Sequence, residues 1–193
     1  MLKNDYFAMR HGQSKANLRH IIISHPDNGV HGDYGLTELG RRQVVAAAES
    51  APLSSRTLIY ASDFSRARET AELVREVLGA SEIHLAEALR ERNFGSWEKA
   101  ADANYSQIWK ADEISDHAGN DVESVYAVQE RVAAFIAELE ERYESEDILL
   151  VSHGDTLQIL QAAFRKIDPA MHRSLPHLAT AEIRHLELRA PRS

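Results

Sequence analysis

The 193-residue sequence contains no cysteine. Disulfides, thiolate metal sites and thiol nucleophiles are thereby excluded, and the absence fits an expected cytoplasmic location. No window approaches the roughly 18 consecutive apolar residues of a membrane span. Residues 1–20 hold no apolar core of signal-peptide length. Positive charge is in the minority, with 22 Lys and Arg against 30 Asp and Glu, a net −8. That balance argues against nucleic acid or an anionic membrane as the partner. It also makes any local concentration of Arg and His informative. Internal repeats and long linkers are lacking as well.

What remains is an ordinary globular composition, 44% hydrophobic and 27% charged. The length suits a single domain, 1–193, with a substantial core. Three short runs are continuously apolar, as strands covered on both faces are: "YFAM" (6–9), "TLIYA" (57–61) and "DILLVS" (147–152). "AEIRHLEL" (181–188) alternates through Ile183, Leu186 and Leu188 and predicts an edge strand. "EIHLAE" (82–87) is a weaker fifth. Helical patterns lie between them. Residues 36–50 start at Thr37 as N-cap. Residues 65–79 repeat Ala67, Ala71, Val74 and Leu78 and stop at Gly79. Residues 121–143 carry a Val122, Val125, Val132, Ile136, Leu139 face, and 155–166 begin with Asp155 as an N-cap candidate. Alternating strands and helices predict an α/β domain, a three-layer αβα sandwich with a mostly parallel central sheet and helices on both faces. Residues 18–35 and 92–120 fit neither pattern and are expected as loop insertions, which more often carry function than not.

Ligands of parallel α/β sheets bind outside the carboxyl ends of the strands. The first strand releases Arg10-His11-Gly12, the second Ser62-Asp63-Phe64-Ser65-Arg66, and the third Ser152-His153-Gly154. Arg66 falls in the first turn of its helix, where a cation opposes the macrodipole at a cost of a few tenths of a kcal/mol or more. An anion in front of that helix reverses the sign, because helix N–H groups and the planar guanidinium fork both suit phosphate oxygens. One Arg at a helix start is ordinarily solvated, and one His after a strand ordinarily structural. Three such coincidences at one sheet edge predict a phosphate site.

At these residues the chain resembles the histidine phosphatase superfamily, also called the phosphoglycerate mutase-like family. The resemblance rests on "MRHGQSKAN", "LTELGRRQ" (36–43), "ASDFSRARET" (61–70), "LRERNFGSWE" (89–98), "GNDVES" (119–124) and "VSHGDTLQIL" (151–160), in family order and spacing over most of the chain. Two positions depart: Gln13 stands where many members have Glu, and Lys99 where Gly is common.

The resemblance implies that His11 is a nucleophile forming a phosphohistidine. Arg10 and Arg66 would bind the phosphoryl oxygens and keep His11 neutral, and Gly12 would let a backbone carbonyl hold its tautomer. His153, best protonated, and Asn17 would donate to the same phosphate. Glu91 would be the general acid and later the base, with Glu87 as its nearby competitor. His20, His25 and His31 lie in the loop expected to roof the pocket and are candidates for substrate contact. His84, His117, His172, His177 and His185 are expected at the surface or on the edge strand, and Trp97 and Trp109 in packing.

The activity implied is metal-independent, cofactor-free hydrolysis of small phosphate monoesters. A phosphoglycerate mutase shares the core and is the alternative. Family mutases carry a longer insertion after the acid motif with a paired Arg, whereas residues 99–120 hold Lys99 and Lys110 against Asp102, Asp112, Glu113 and Asp116. A non-enzymatic binder of phosphorylated ligands and a metallohydrolase using His11, His153, Asp155 and Glu91 are further alternatives, the last opposed by the two Arg beside the metal. Neither the substrate nor the oligomeric state is legible in the sequence.

Overall fold

The structure, a computed structural model, describes residues 2–31, 33–114 and 119–187. Strands β1 (Asp5–Arg10), β2 (Leu58–Ala61), β3 (Ile83–Leu85), β4 (Asp147–Ser152) and β5 (Ile183–His185) form one sheet in the order β3-β2-β4-β1-β5. All neighbours are parallel except β5, which runs antiparallel to β1. The expected edge strand, β5, is one edge of the sheet, and the weaker fifth run, β3, is the other. Leu188, the end of the expected last strand, and His117 lie outside the described residues. Register places the site. β1 and β4 pair without a slip from Asp5↔Asp147 to Arg10↔Ser152, so the chain leaves both strands side by side, at His11 and His153.

The helices are α1 (Lys15–Leu18), α2 (Pro26–Gly29), α3 (Glu38–Ser50), α4 (Ser65–Leu78), α5 (Tyr105–Ile114), α6 (Val125–Arg142) and α7 (Gly154–Phe164). Strand alternation sorts the core into two layers. Tyr6, Ala8, Ile148 and Leu150 meet Val132, Ile136 and Leu139 of α6 and Leu157, Leu160 and Phe164 of α7. Phe7, Met9, Ile59, Leu149 and Val151 meet Val44 and Ala48 of α3 and Ala67, Ala71 and Val74 of α4. This is the three-layer sandwich expected. Each fully buried aliphatic side chain contributes roughly 1.5–3 kcal/mol. Among the described residues, no helix is long and apolar enough to cross a membrane.

Thr37 caps α3 through Gly40 N–H, and Gly79 ends α4 in the left-handed region at φ 67°. Two expectations change. The N-cap position of α7 belongs to His153, and Asp155 sits in the first turn, its carboxylate turned toward Arg92. Residues 92–120 are not simply irregular, because α5 lies within them. Its two buried positions are Ile108 and Asp112. A buried Asp where the helical period calls for an apolar residue hides that helix from a hydrophobicity pattern.

Candidate active site

Arg10, His11, Asn17, Arg66 and Glu91 line one cavity of about 290 Å³ outside the carboxyl ends of β1, β2 and β4. His153 does not line it but abuts His11 edge-on, with ring centroids 5.2 Å apart.

His11 is buried, and its two nitrogens have different partners. Nδ1 lies 2.7 Å from the Gly12 carbonyl, an acceptor only, so Nδ1 carries the proton. Arg66 Nε donates to Nε2 over 3.1 Å, so Nε2 is bare. Burial first, then the charges of Arg66 and Arg10, hold the imidazolium well below the usual histidine range. The carbonyl expected to fix the tautomer is Gly12's own. A Cβ on Gly12 would stand 2.6 Å from the Gly40 carbonyl oxygen, so the close approach of this loop to α3 requires glycine. Gln13 belongs to the same contact, accepting from the Thr37 hydroxyl at 2.8 Å.

Arg66 is buried at the start of α4 and also donates to the Ile23 carbonyl at 2.9 Å. Arg10 donates to the Leu178 carbonyl at 3.0 Å. Neither forms an ion pair with a carboxylate among the described residues. Among the described residues, Arg10 Nε, Arg66 Nη1 and His153 Nδ1 are buried without a hydrogen-bond partner. Such donors are costly unless something accepts from them. His153 Nε2 faces Ser62 Oγ at 2.8 Å. Burial, Arg66 and then His11 hold His153 well below the usual range, against the protonated state expected from the sequence. A neutral ring still donates from Nδ1 when the Ser62 hydroxyl donates to Nε2. Asn17 Oδ1 accepts from both Ser14 N–H (3.0 Å) and Ser14 Oγ (2.9 Å), which leaves its amide N–H groups for the cavity.

Glu91 is buried, and its Oε1 takes Arg92 N–H (3.0 Å), Thr156 N–H (3.3 Å) and Thr156 Oγ (3.2 Å). Burial, with the Asp155 charge behind it, raises its proton affinity against the opposing charge of Arg66. Glu87, the competitor, is exposed and ion-paired with Arg90, away from this cavity. Arg90 also forks onto Asp63 at 2.8 and 2.6 Å, tying the acid loop to the exit of β2.

Beside Glu91 lies a buried ionic group that the sequence did not suggest. Arg92 grips Asp112 of α5 at 2.7 and 2.5 Å and reaches Asp155 at 3.3 Å. Trp109 Nε1 donates to Asp155 at 2.9 Å. Asp155 titrates down at about 2: burial opposes this, and His172, Arg92 and Arg173 outweigh it. No spacing rule links positions 92, 112 and 155.

The remaining expectations divide. His20 pairs with Asp102, His25 caps α2, and none of His20, His25 and His31 lines the cavity. Glu98 holds their loop by accepting from Ser24 N–H, Ser24 Oγ, His25 N–H and the Asn28 amide. His177, expected at the surface, is exposed but lines the cavity, and His172 is fully buried. Trp97 is in packing, whereas Trp109 also lines the cavity. Lys99 stands at φ 64°, a conformation that favours the glycine common there in the family. Among the described residues, no cluster of three or more His, Asp or Glu is arranged to hold a metal ion.

Residues 6–192 match the histidine phosphatase superfamily (branch 1), and the chain belongs to that superfamily. It is 30% identical over 186 residues to a glucosyl-3-phosphoglycerate phosphatase of Mycobacterium tuberculosis, across 90% of this chain and 80% of that protein. It is 27% identical to a 2,3-bisphosphoglycerate-dependent phosphoglycerate mutase of Parvibaculum lavamentivorans, across 82% of this chain and 79% of the relative. A solved structure of a mycobacterial glucosyl-3-phosphoglycerate phosphatase superposes with a TM-score of 0.74 at 27% identity, across 93% of this chain and 87% of the other.

Proposed function

We propose that this member of the histidine phosphatase superfamily hydrolyses small phosphate monoesters in two steps through a phosphohistidine at His11, without a metal. The observation that carries the reading is the set of partnerless buried nitrogens on Arg10, Arg66 and His153 beside the bare Nε2 of His11. A phosphoryl group is the ligand whose oxygens accept from all three while its phosphorus faces that nitrogen.

In the first step, Arg66 Nε gives up its hydrogen bond to Nε2 in favour of a phosphoryl oxygen, Nε2 attacks phosphorus as the ester P–O bond breaks, and the Glu91 carboxyl proton passes to the leaving alkoxide. In the second step, the Glu91 carboxylate takes a proton from a water whose oxygen attacks phosphorus as the bond between phosphorus and Nε2 breaks. Orthophosphate leaves, and His11 and Glu91 return to their starting states. Arg10 and Arg66 stabilise charge on the equatorial oxygens, and they are placed before the reaction starts. His153 and the Asn17 amide are further donors. The partner is a phosphorylated small molecule, as a cavity of about 290 Å³ suits.

The test is a phosphate-release screen over a metabolite panel, with chelator present, followed by alkaline quenching of enzyme labelled from the substrate and mapping of the acid-labile label. Label on His11 and its loss in His11→Ala are expected. Label elsewhere, or full activity in that variant, contradicts the reading.

A further inference from the structure

Tyr105, the first residue of α5, lines the cavity together with Arg10, His11, Arg66 and Glu91. Among the described residues, none hydrogen-bonds to its side-chain oxygen, and that oxygen is not sealed in the protein. The ring is fixed. Phe94 meets it edge-on, with centroids 5.1 Å apart and planes at 73°. Trp109 stacks on it at 5.3 Å, with planes 8° from parallel. Trp109 is itself pinned by its indole bond to Asp155 and by Arg173, whose Cζ lies 3.6 Å from the ring centre. Burial, then the charges of Glu91 and Asp155, raise the proton affinity of the Tyr105 phenol against the charges of Arg66 and Arg10. The group therefore stays a hydroxyl, with one proton to donate and lone pairs to accept.

The second chemical step calls for such an acceptor. The attacking water has two protons. Glu91 takes one, and the other must be held if a lone pair is to face phosphorus. Most side-chain acceptors on the cavity wall are already engaged. Asp155 accepts from Trp109 and Arg92, and Asp102 pairs with His20. Asn17 Oδ1 accepts twice from Ser14, and Ser14 Oγ accepts from Asn17 N–H. His11 Nε2 is the nucleophile. Of the two lining side chains left among the described residues, His177 is exposed, whereas Tyr105 is half-buried and held in place.

We propose that Tyr105 is a further catalytic residue, whose hydroxyl oxygen accepts a hydrogen bond from the attacking water and so aims that water at the phosphohistidine. The water oxygen bonds phosphorus, the bond between phosphorus and Nε2 breaks, and one water proton passes to the Glu91 carboxylate. The other proton stays on the orthophosphate, bonded to Tyr105 until release, and the Tyr105 proton is not transferred. An alcohol in place of water has a single hydroxyl proton, which Glu91 takes, so it needs no second acceptor. Tyr105 therefore favours water over other nucleophiles. The inference rests on the phosphomonoesterase reading above.

The test compares native enzyme and Tyr105→Phe on p-nitrophenyl phosphate in rapid mixing. The fast phase reports phosphoenzyme formation, and the steady phase includes its hydrolysis. With ethanol added, the products ethyl phosphate and orthophosphate are measured, and their ratio does not depend on which step limits turnover. In Tyr105→Phe the fast phase should stay within about threefold of native, and hydrolysis should slow by about tenfold or more. The ratio of ethyl phosphate to orthophosphate should rise by about fivefold or more. An unchanged ratio overturns the proposal while leaving the phosphatase reading intact. So does a fast phase that slows as much as the steady one, which marks a merely structural role. Loss of the fold in Tyr105→Phe would give the hydroxyl a structural duty and overturn the proposal as well. A native enzyme that does not hydrolyse p-nitrophenyl phosphate, or carries no label on His11, fails the phosphomonoesterase reading, and the role of Tyr105 falls with it.

Discussion

Arg66 Nε donates to His11 Nε2 across 3.1 Å, onto the nitrogen that attack on phosphorus needs bare. In the proposed mechanism the active form of His11 is the neutral one, and its depressed proton affinity favours that form as pH falls below the usual histidine value. Arg66→Met removes a cation that lowers it, so the proton affinity rises. The acid limb of the kcat/KM profile should move to higher pH. Turnover should fall by about 10²–10³, the usual loss for one preorganised donor. An acid limb that stays in place would show that Arg66 does not set the state of His11.

Glu91→Gln should cost about 10²–10⁴ in turnover on alkyl phosphates and far less on aryl phosphates, whose leaving groups need little protonation. Asp155 raises the proton affinity of Glu91. Asp155→Asn should therefore lower it and draw the alkaline limb of the profile to lower pH. Equal losses on both ester types would remove Glu91 from the acid's role.

Arg92 has 0% and Asp112 1% side-chain exposure in their pair. Arg92→Met strands buried carboxylate charge and should cost about 3–5 kcal/mol, seen as a drop of roughly 6–20 °C in melting temperature. Asp112→Asn should be less damaging, since it leaves a hydrogen-bonding partner. A melting temperature unchanged in Arg92→Met contradicts this account of how α5 is docked.

Gly12→Ala brings a methyl group within 2.6 Å of the Gly40 carbonyl oxygen and 2.8 Å of Val44 Cγ2. Overpacking of this kind costs about 1–3 kcal/mol. It also displaces the carbonyl that orders His11, so the rate of phosphoenzyme formation should fall more than substrate binding. Rapid-quench kinetics separates the two.

Phosphate release should dominate over transfer between hydroxyls. Lys99 and Lys110 do not line the cavity, so Arg173 alone supplements the phosphate cluster there. A single guanidinium that shares the cavity wall with the Asp155 carboxylate is a poor holder of the second phosphate that a mutase retains. With 3-phosphoglycerate, orthophosphate release should exceed formation of 2-phosphoglycerate and need no bisphosphate primer. Interconversion stimulated by 2,3-bisphosphoglycerate and faster than release would reverse this.

The sequence by itself determined the parallel sheet, the central strands and the loops that leave them. Continuous apolar runs and their Arg-His-Gly and Ser-His-Gly exits are local, and strand register carries them to one edge. His11, Arg66 and Glu91 were legible because each follows a strand, opens a helix or sits in a recognisable motif. Only the tertiary structure decided the state and surroundings of those groups. The proton affinity of His153 is lowered because burial and the charge of Arg66 act on it from outside its own segment. Asp155 turned from helix cap to buried ion because Arg92, 63 residues away in the chain, faces it. Arg173 reached the cavity through contacts with Trp109 and Gln158 that no period or motif encodes. Charge compensation is set by distance in space, and hydrophobic pattern reads only distance along the chain.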